Sequence, residues 1–206
     1  MSSTIAPFKE RLKHALENPN LEQAMERALS AFRERRAASF VPGEFARLRS
    51  DLVQRKSDAL DHLPELVQQF KEEAEKAGAE VHFAKDAEEA RRIVARLAKE
   101  RGVQLAVKTK SMATEEIQLN PFLEERGIRV VETDLGEWIL QLAKDHPSHL
   151  IAPAIHWRRE EVAELFSGVT GVTQPPVIAE LVKVARQQLR QAFIDADMGI
   201  TGGNIG

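Results

Sequence analysis

In the middle of the chain an apolar run, Val103–Val107, passes directly into Lys108-Thr109-Lys110-Ser111-Met112-Ala113-Thr114-Glu115. Two ammonium groups, two hydroxyls and the free N–H groups of a helix start would let Lys108, Lys110, Ser111 and Thr114 cradle an anion. The same residues also read as a plain helix start, with Ser111 as its cap and both lysines solvated. A second such place follows the apolar run Ile128–Val131, where the chain reads Glu132-Thr133-Asp134. Asp134 fits a helix cap or a ligand contact. Glu132 is a different matter, because a carboxylate at the end of a buried strand is costly unless paired. Lys108 or Lys110, from a neighbouring strand end, would be the partner. A third place is Pro153-Ala154-Ile155-His156. His156 suits a hydrogen-bond donor or proton shuttle, or a cap for the helix through Val162 and Phe166. The tail from Gly199 to Gly206 is glycine-rich, and its backbone at Gly202 could come close to an anion with Thr201 and Asn204 as donors.

These segments gain meaning from the elements that must hold them. From about residue 80 onward, short apolar runs alternate with helical patterns. Strands are expected at Val81–Phe83, Val103–Val107, Ile128–Val131 and His149–Ala152. Asp86 with Glu89, and Asp134 with Glu137, give the spacing of capping boxes at two of the intervening helices. Strands alternating with helices of this length mean βαβ units, a parallel sheet and right-handed crossovers. Ligands of open parallel sheets bind outside the carboxyl ends of the strands, where the three places above lie. The last helix is marked by an apolar face through Ile178, Leu181, Ala185, Leu189 and Phe193. Residues 1–78 read as helix throughout. One stripe runs through Leu21, Ala24, Met25, Ala28, Leu29 and Phe32, with Asn20 as its cap, and Arg33, Arg35 and Arg36 cluster at its end, where cations meet the negative end of the helix dipole. The expected division is therefore a helical region, 1–78, and an α/β domain, 79–206.

Composition narrows the function classes. The 206 residues include 29 Lys and Arg against 32 Asp and Glu, a net charge of −3, which argues against a nucleic-acid partner held by a basic face. There is no cysteine, and therefore no disulfide, thiolate nucleophile or cysteine-held cluster in this chain. Aromatic residues are 5% and tyrosine is absent, a poor basis for stacking bases. The histidines (14, 62, 82, 146, 149 and 156) show no metal-ligand spacing, and there is no GxSxG elbow, Walker A loop or GxGxxG fingerprint. No apolar run is long enough to span a bilayer and no secretory leader is evident, so a cytoplasmic protein is expected.

The run KTKSMATEEIQLNPFLEERGIRVVETDLGEWILQL, from Lys108 to Leu142, resembles the lactate-utilisation iron–sulfur subunit family (LutB, or LudB), whose common part is the LUD domain. HLIAPAIHWRREEVAELF from His149, DADMGITGGNIG from Asp195 and the early NPNLEQAMERALSAFRERRAASF extend the resemblance over nearly the whole chain. It implies a Rossmann-like three-layer sandwich similar to the CoA-transferase and sugar-phosphate-isomerase group, with an α-helical amino-terminal extension. It also implies a part in oxidising L-lactate to pyruvate within a multi-subunit complex. The [4Fe-4S] clusters of that complex would sit on a cysteine-rich carboxyl-terminal section that these 206 residues do not include. The chain ends inside its glycine-rich motif, so a fragment of the family's subunit is expected.

By analogy with that fold, Lys108, Lys110 and Ser111 would hold an anion, and Glu132 is the candidate general base or nucleophile. The expected partners are the other subunits of the lactate-utilisation complex and a small carboxylate ligand, with room for self-association. Two further readings stay open. One is a non-catalytic assembly module whose helical front docks partner subunits. The other is a small-anion- or acyl-binding domain, or a free-standing acyl- or phosphosugar-processing enzyme, of the same fold.

Overall fold

A computed structural model describes residues 5–41, 43–149 and 152–203. Four helices come first: α1 (Ile5–Leu16), α2 (Pro19–Ala38), α3 (Glu44–Asp61) and α4 (Leu63–Lys76). Then follow α5 (Ala87–Glu100), β1 (Leu105–Lys108), α6 (Met112–Glu116), α7 (Leu119–Glu124), β2 (Arg129–Glu132), α8 (Leu135–Ala143), α9 (Arg159–Thr170), α10 (Ile178–Asp195) and β3 (Met198–Ile200). The chain divides into two compact units, Met1–Met25 with Lys85–Gly206, and Glu26–Ala84. No helix among the described residues is long and apolar enough to cross a membrane.

In the larger unit the three strands form one parallel sheet in the order β2-β1-β3. β1 is central and buried along its whole length, which is why Leu105, Ala106 and Val107 form a continuous rather than an alternating apolar run. Side chains alternate between faces. Ala106 and Val130 face a cluster that holds Ala98 of α5 and Leu119 and Leu123 of α7. Val131 faces the other cluster, where Trp138 of α8, Phe166 of α9 and Leu181, Ala185 and Leu189 of α10 meet. Helices therefore cover both faces of the sheet. In phase with Ala106 and Val130 are Lys108 and Glu132, the last residues of their strands and direct partners in the register.

Local signals account for several boundaries. Asp86 accepts a hydrogen bond from the Glu89 amide at 2.8 Å, and the Glu89 carboxylate accepts from the Lys85 amide, so α5 starts where its capping box says. Asp134 accepts from the amides of Gly136 and Glu137 and opens α8. The cap of α2 is Asn18 and not Asn20: its Oδ1 accepts from the amides of Asn20 and Leu21, because Pro19 already occupies the first helical position.

The strands differ from expectation in two places. Val81–Phe83 is not a strand; it lies without a ladder partner among the described residues, and Phe83 is exposed. Met198–Ile200, which overlaps the start of the glycine-rich turn expected from Gly199, is β3, paired to β1 through Ala106↔Met198 and Lys108↔Ile200. It starts at a clamp in which Asp197 Oδ2 accepts from the amides of Gln104 and Leu105 at 2.9 and 3.0 Å. Of the strand expected over His149–Ala152, residues 150–151 lie outside the described residues, and His149 and Ala152 sit in bends.

In the smaller unit α3 and α4 pack together, and neither has a buried residue. Phe40 and Phe45 meet edge to face, with the Arg36 guanidinium over the Phe45 ring.

Candidate functional site

The site is built at the carboxyl end of β1. Lys108 is completely closed off from solvent, and a lysine is almost never buried unless its charge is answered. Here it is answered three times. Nζ lies 3.0 Å from Glu132 Oε1, 3.0 Å from Glu115 Oε1 and 3.1 Å from Thr114 Oγ1, one acceptor for each of its three protons. Glu132 is Lys108's partner across the strands, and Glu115 and Thr114 come from the helix that follows β1. Ser111, also buried, caps this helix through the Thr114 amide, and the Thr114 hydroxyl donates to the Ser111 carbonyl.

The end of β3 closes over the same place. The Thr109 amide donates to the Ile200 carbonyl at 2.9 Å, and Thr109 and Thr201 are joined through their hydroxyls. Gly202 then lies flat on Ser111: a Cβ at Gly202 would fall 2.1 Å from Ser111 Oγ. Thus Lys108, Ser111, Thr114, Thr201 and Gly202 come together around one strand end, with Glu132 beside them. Asn204 lies outside the described residues. Asp134 stands as the cap of α8, and His156 lies in the loop before α9.

On the other side of Glu132 is a cavity of about 260 Å³ lined by Thr114, Glu115, Asn120, Glu132, Glu137 and Asp145, among others. Asn120 donates from Nδ2 to Glu132 Oε1, the oxygen that also takes Lys108. That leaves Glu132 Oε2 and Asn120 Oδ1 buried with no hydrogen-bond partner. Two orphaned acceptors on residues that line one cavity are unusual, because buried polar atoms are nearly always satisfied. Glu137, buried at the start of α8, lies 3.4 Å from Lys110 Nζ.

Burial pushes the Glu132 carboxyl above its ordinary range, against the pull of Lys108 and Asn120. It does the same to Glu137, helped by the charge of Glu115 and opposed by Lys110. Three carboxyls (Glu115, Glu132 and Glu137) thus share two lysines, and two of the three hold their protons to higher pH than usual. Such a cluster can take a proton from, or return one to, an oxygen lodged in the cavity.

Asn120 and Gln141 were not apparent from sequence. Asn120 follows Gln118, whose positive φ of 53° sets the entry to α7. Gln141 works on the free edge of β2. Its Oε1 accepts from the Glu132 amide and its Nε2 donates to the Val130 carbonyl, as a neighbouring strand would. The signal available in the sequence is a polar residue set among the apolar Trp138, Ile139, Leu140 and Leu142 of its helix.

Residues 67–206 match the family described as LUD domain. Among known proteins, the chain is 40% identical over 199 residues to lactate utilization protein B of Oceanobacillus iheyensis, covering 96% of this chain and 42% of that protein. It is 41% identical over 201 residues to the protein of the same name from an Exiguobacterium species, with 96% and 42% covered. The Geobacillus kaustophilus protein of that name is 39% identical over 201 residues, with 97% and 42% covered. The chain therefore spans less than half the length of these relatives. No solved structure matches it.

Proposed function

The chain belongs to the LUD domain family, and from that premise we propose that it serves lactate utilisation as the amino-terminal part of a longer subunit, with the cavity beside Glu132 as its ligand site. The parallel sheet with helices on both faces supports a Rossmann-like three-layer sandwich of the CoA-transferase kind as the frame of that site. The observation that carries the reading is the pair of orphaned acceptors, Glu132 Oε2 and Asn120 Oδ1. They suit a ligand that brings a hydroxyl, as a small 2-hydroxy acid does.

When L-lactate becomes pyruvate its Cα–H bond breaks, that hydrogen departing with the bonding electron pair, and its hydroxyl loses a proton. Glu132, with a carboxyl free of other hydrogen bonds at one oxygen, is the group to receive it, and Lys108 and Asn120 hold that carboxyl in place. The electrons must leave by another route. With no cysteine in the sequence and no group of three or more His, Asp or Glu among the described residues able to hold a metal ion, this chain's residues do not fit an iron–sulfur cluster. The clusters belong, on this reading, to the section these residues do not include.

Titrating the chain with L-lactate, pyruvate and acetate while following the amide signals of Asn120, Glu132 and Glu137 tests the site. Binding of the 2-hydroxy acid with shifts at those three amides, weakened in Glu132→Gln, is the expected result. Shifts elsewhere only, or none at millimolar ligand, would overturn it. A second reading, an assembly module, is favoured by the helical region 1–78, where Leu52, Val53 and Phe70 stay 53%, 61% and 67% exposed. Retention of partner subunits by the chain, lost when these three become serine, would support it.

A further inference from the structure

Asp145, Ser148 and His156 converge in the loop between α8 and α9. The Ser148 hydroxyl lies 2.7 Å from His156 Nδ1, and Nε2 of the same ring lies 2.9 Å from Asp145 Oδ2. A carboxylate only accepts, so Nε2 carries the ring proton; in the neutral ring Nδ1 is then the acceptor aimed at the serine. Asp145 is itself held from two more sides, by Trp157 Nε1 at 3.0 Å and by the His146 amide at 2.7 Å. Burial alone would raise its carboxyl, but the bonds from His156, His146 and Trp157 outweigh that and leave it below the ordinary range, as a standing anion. The other acceptor near the Ser148 hydroxyl, the Pro153 carbonyl, is farther away at 3.3 Å. That carbonyl also takes the Ser148 amide and so pins the serine in place.

A serine, a base in contact with it and a carboxylate that orients the base are the parts of an activated nucleophile. Access is present as well. Ser148 lines an open groove of about 900 Å³ with Met112 and Pro147, whose charged groups are Lys110 and the carboxylates of Glu115, Glu116 and Glu137. The groove shares Glu115, Gln118, Glu137, His146 and Pro147 with the cavity beside Glu132, which Asp145 also lines; Ser148 and His156 line no part of that cavity and owe nothing to the lactate reading.

We propose that Ser148 is a nucleophile for acyl transfer, with His156 as its general base and Asp145 as the positioning residue, acting on small activated esters or thioesters. The Ser148 oxygen attacks the acyl carbon while its proton passes to His156 Nδ1. The bond to the alcohol or thiol breaks, and that group leaves with the proton from His156. Water, deprotonated by the same ring, then releases the carboxylic acid and restores the serine. No electron transfer is involved.

The test is the reaction of the folded 206-residue chain with a fluorophosphonate ester, followed by peptide mass mapping, and the release of p-nitrophenol from p-nitrophenyl acetate. The expected result is an adduct on Ser148, slowed about tenfold or more in Asp145→Asn and His156→Gln. Because the wild-type chain supplies the adduct, the result does not depend on any variant folding. An adduct on Ser148 no faster than on the exposed Ser50 or Ser57, or none, would overturn the proposal and leave the three residues as a loop staple.

Discussion

Lys108 and Glu132 stand opposite each other in the β1–β2 register, joined at 3.0 Å and almost wholly withdrawn from solvent. Their relationship sets the character of the strand end. A buried pair of charges gains little over a well-packed apolar pair, yet breaking it from one side strands a charge in a medium that cannot solvate it. Lys108 answers two carboxylates and a hydroxyl at once, so it is the member whose loss is felt most.

Lys108→Met should therefore cost about 3–5 kcal/mol of unfolding free energy, the usual penalty for leaving one buried partner uncompensated. Adding Glu132→Gln to it removes the stranded charge and should return a large part of that loss. Urea unfolding of the two single variants and the double variant measures the coupling. Additive effects would mean that the two side chains do not act as a pair.

The raised carboxyls give the protein a pH dependence with a definite sign. A carboxyl whose folded pKa lies above its unfolded value near 4.5 supports folding when protonated. That support is whole below the unfolded value and is lost as pH rises through the folded one. Wild type should lose stability across this window relative to a Glu132→Gln, Glu137→Gln variant, whose profile should be flatter there. Unfolding curves from mildly acid to neutral pH compare the slopes; equal slopes would dismiss the burial of these two groups as the cause.

Gly202 is required for the close approach of the β3 end to the β1 end. Gly202→Ala should cost about 1–3 kcal/mol, the range for overpacking, because its methyl would meet Ser111 at both Oγ and Cβ. Gly203→Ala, with open space around it, should cost far less. Combining Ser111→Gly with Gly202→Ala should recover most of the loss, since glycine is nearly as good a cap as serine. Thermal melts of the four proteins decide it.

How much of this was legible beforehand follows from the range of each interaction. Asp86, Ser111 and Asp134 announce their helices because a cap reaches only two or three residues along the chain. The pairing of Glu132 with Lys108 could be argued from cost alone, since a carboxylate at a buried strand end needs a cation and the neighbouring strand end carries one. β3 was hidden because Met198-Gly199-Ile200 has no strand pattern of its own; it is made by the central strand and the Asp197 clamp, 92 residues away in sequence from Leu105. Asn120 and the Asp145–Ser148–His156 contacts were equally hidden, because they depend on the path of loops rather than on any periodicity. Val81–Phe83 shows the reverse case, a short segment with two residues of high strand propensity and no strand to join among the described residues.

Gln141 tests the idea that a single side chain can stand in for a missing strand at the edge of the sheet. Its amide pairs with two of the backbone groups that β2 turns away from β1, the Glu132 N–H and the Val130 carbonyl. Gln141→Leu would keep the bulk of the side chain and strip both partners, leaving a half-buried donor and acceptor without a match. The cost should be about 1–3 kcal/mol, and it should be local. Hydrogen exchange at the Glu132 amide should speed up well beyond what the loss of global stability explains, while the β1 amide of Ala106, in the centre of the sheet, follows global stability alone. Because Glu132 ends β2, the same substitution should also loosen its carboxyl at the cavity and weaken any ligand bound there. Unchanged exchange at Glu132 would mean that the edge is protected by packing against α8 and not by the amide.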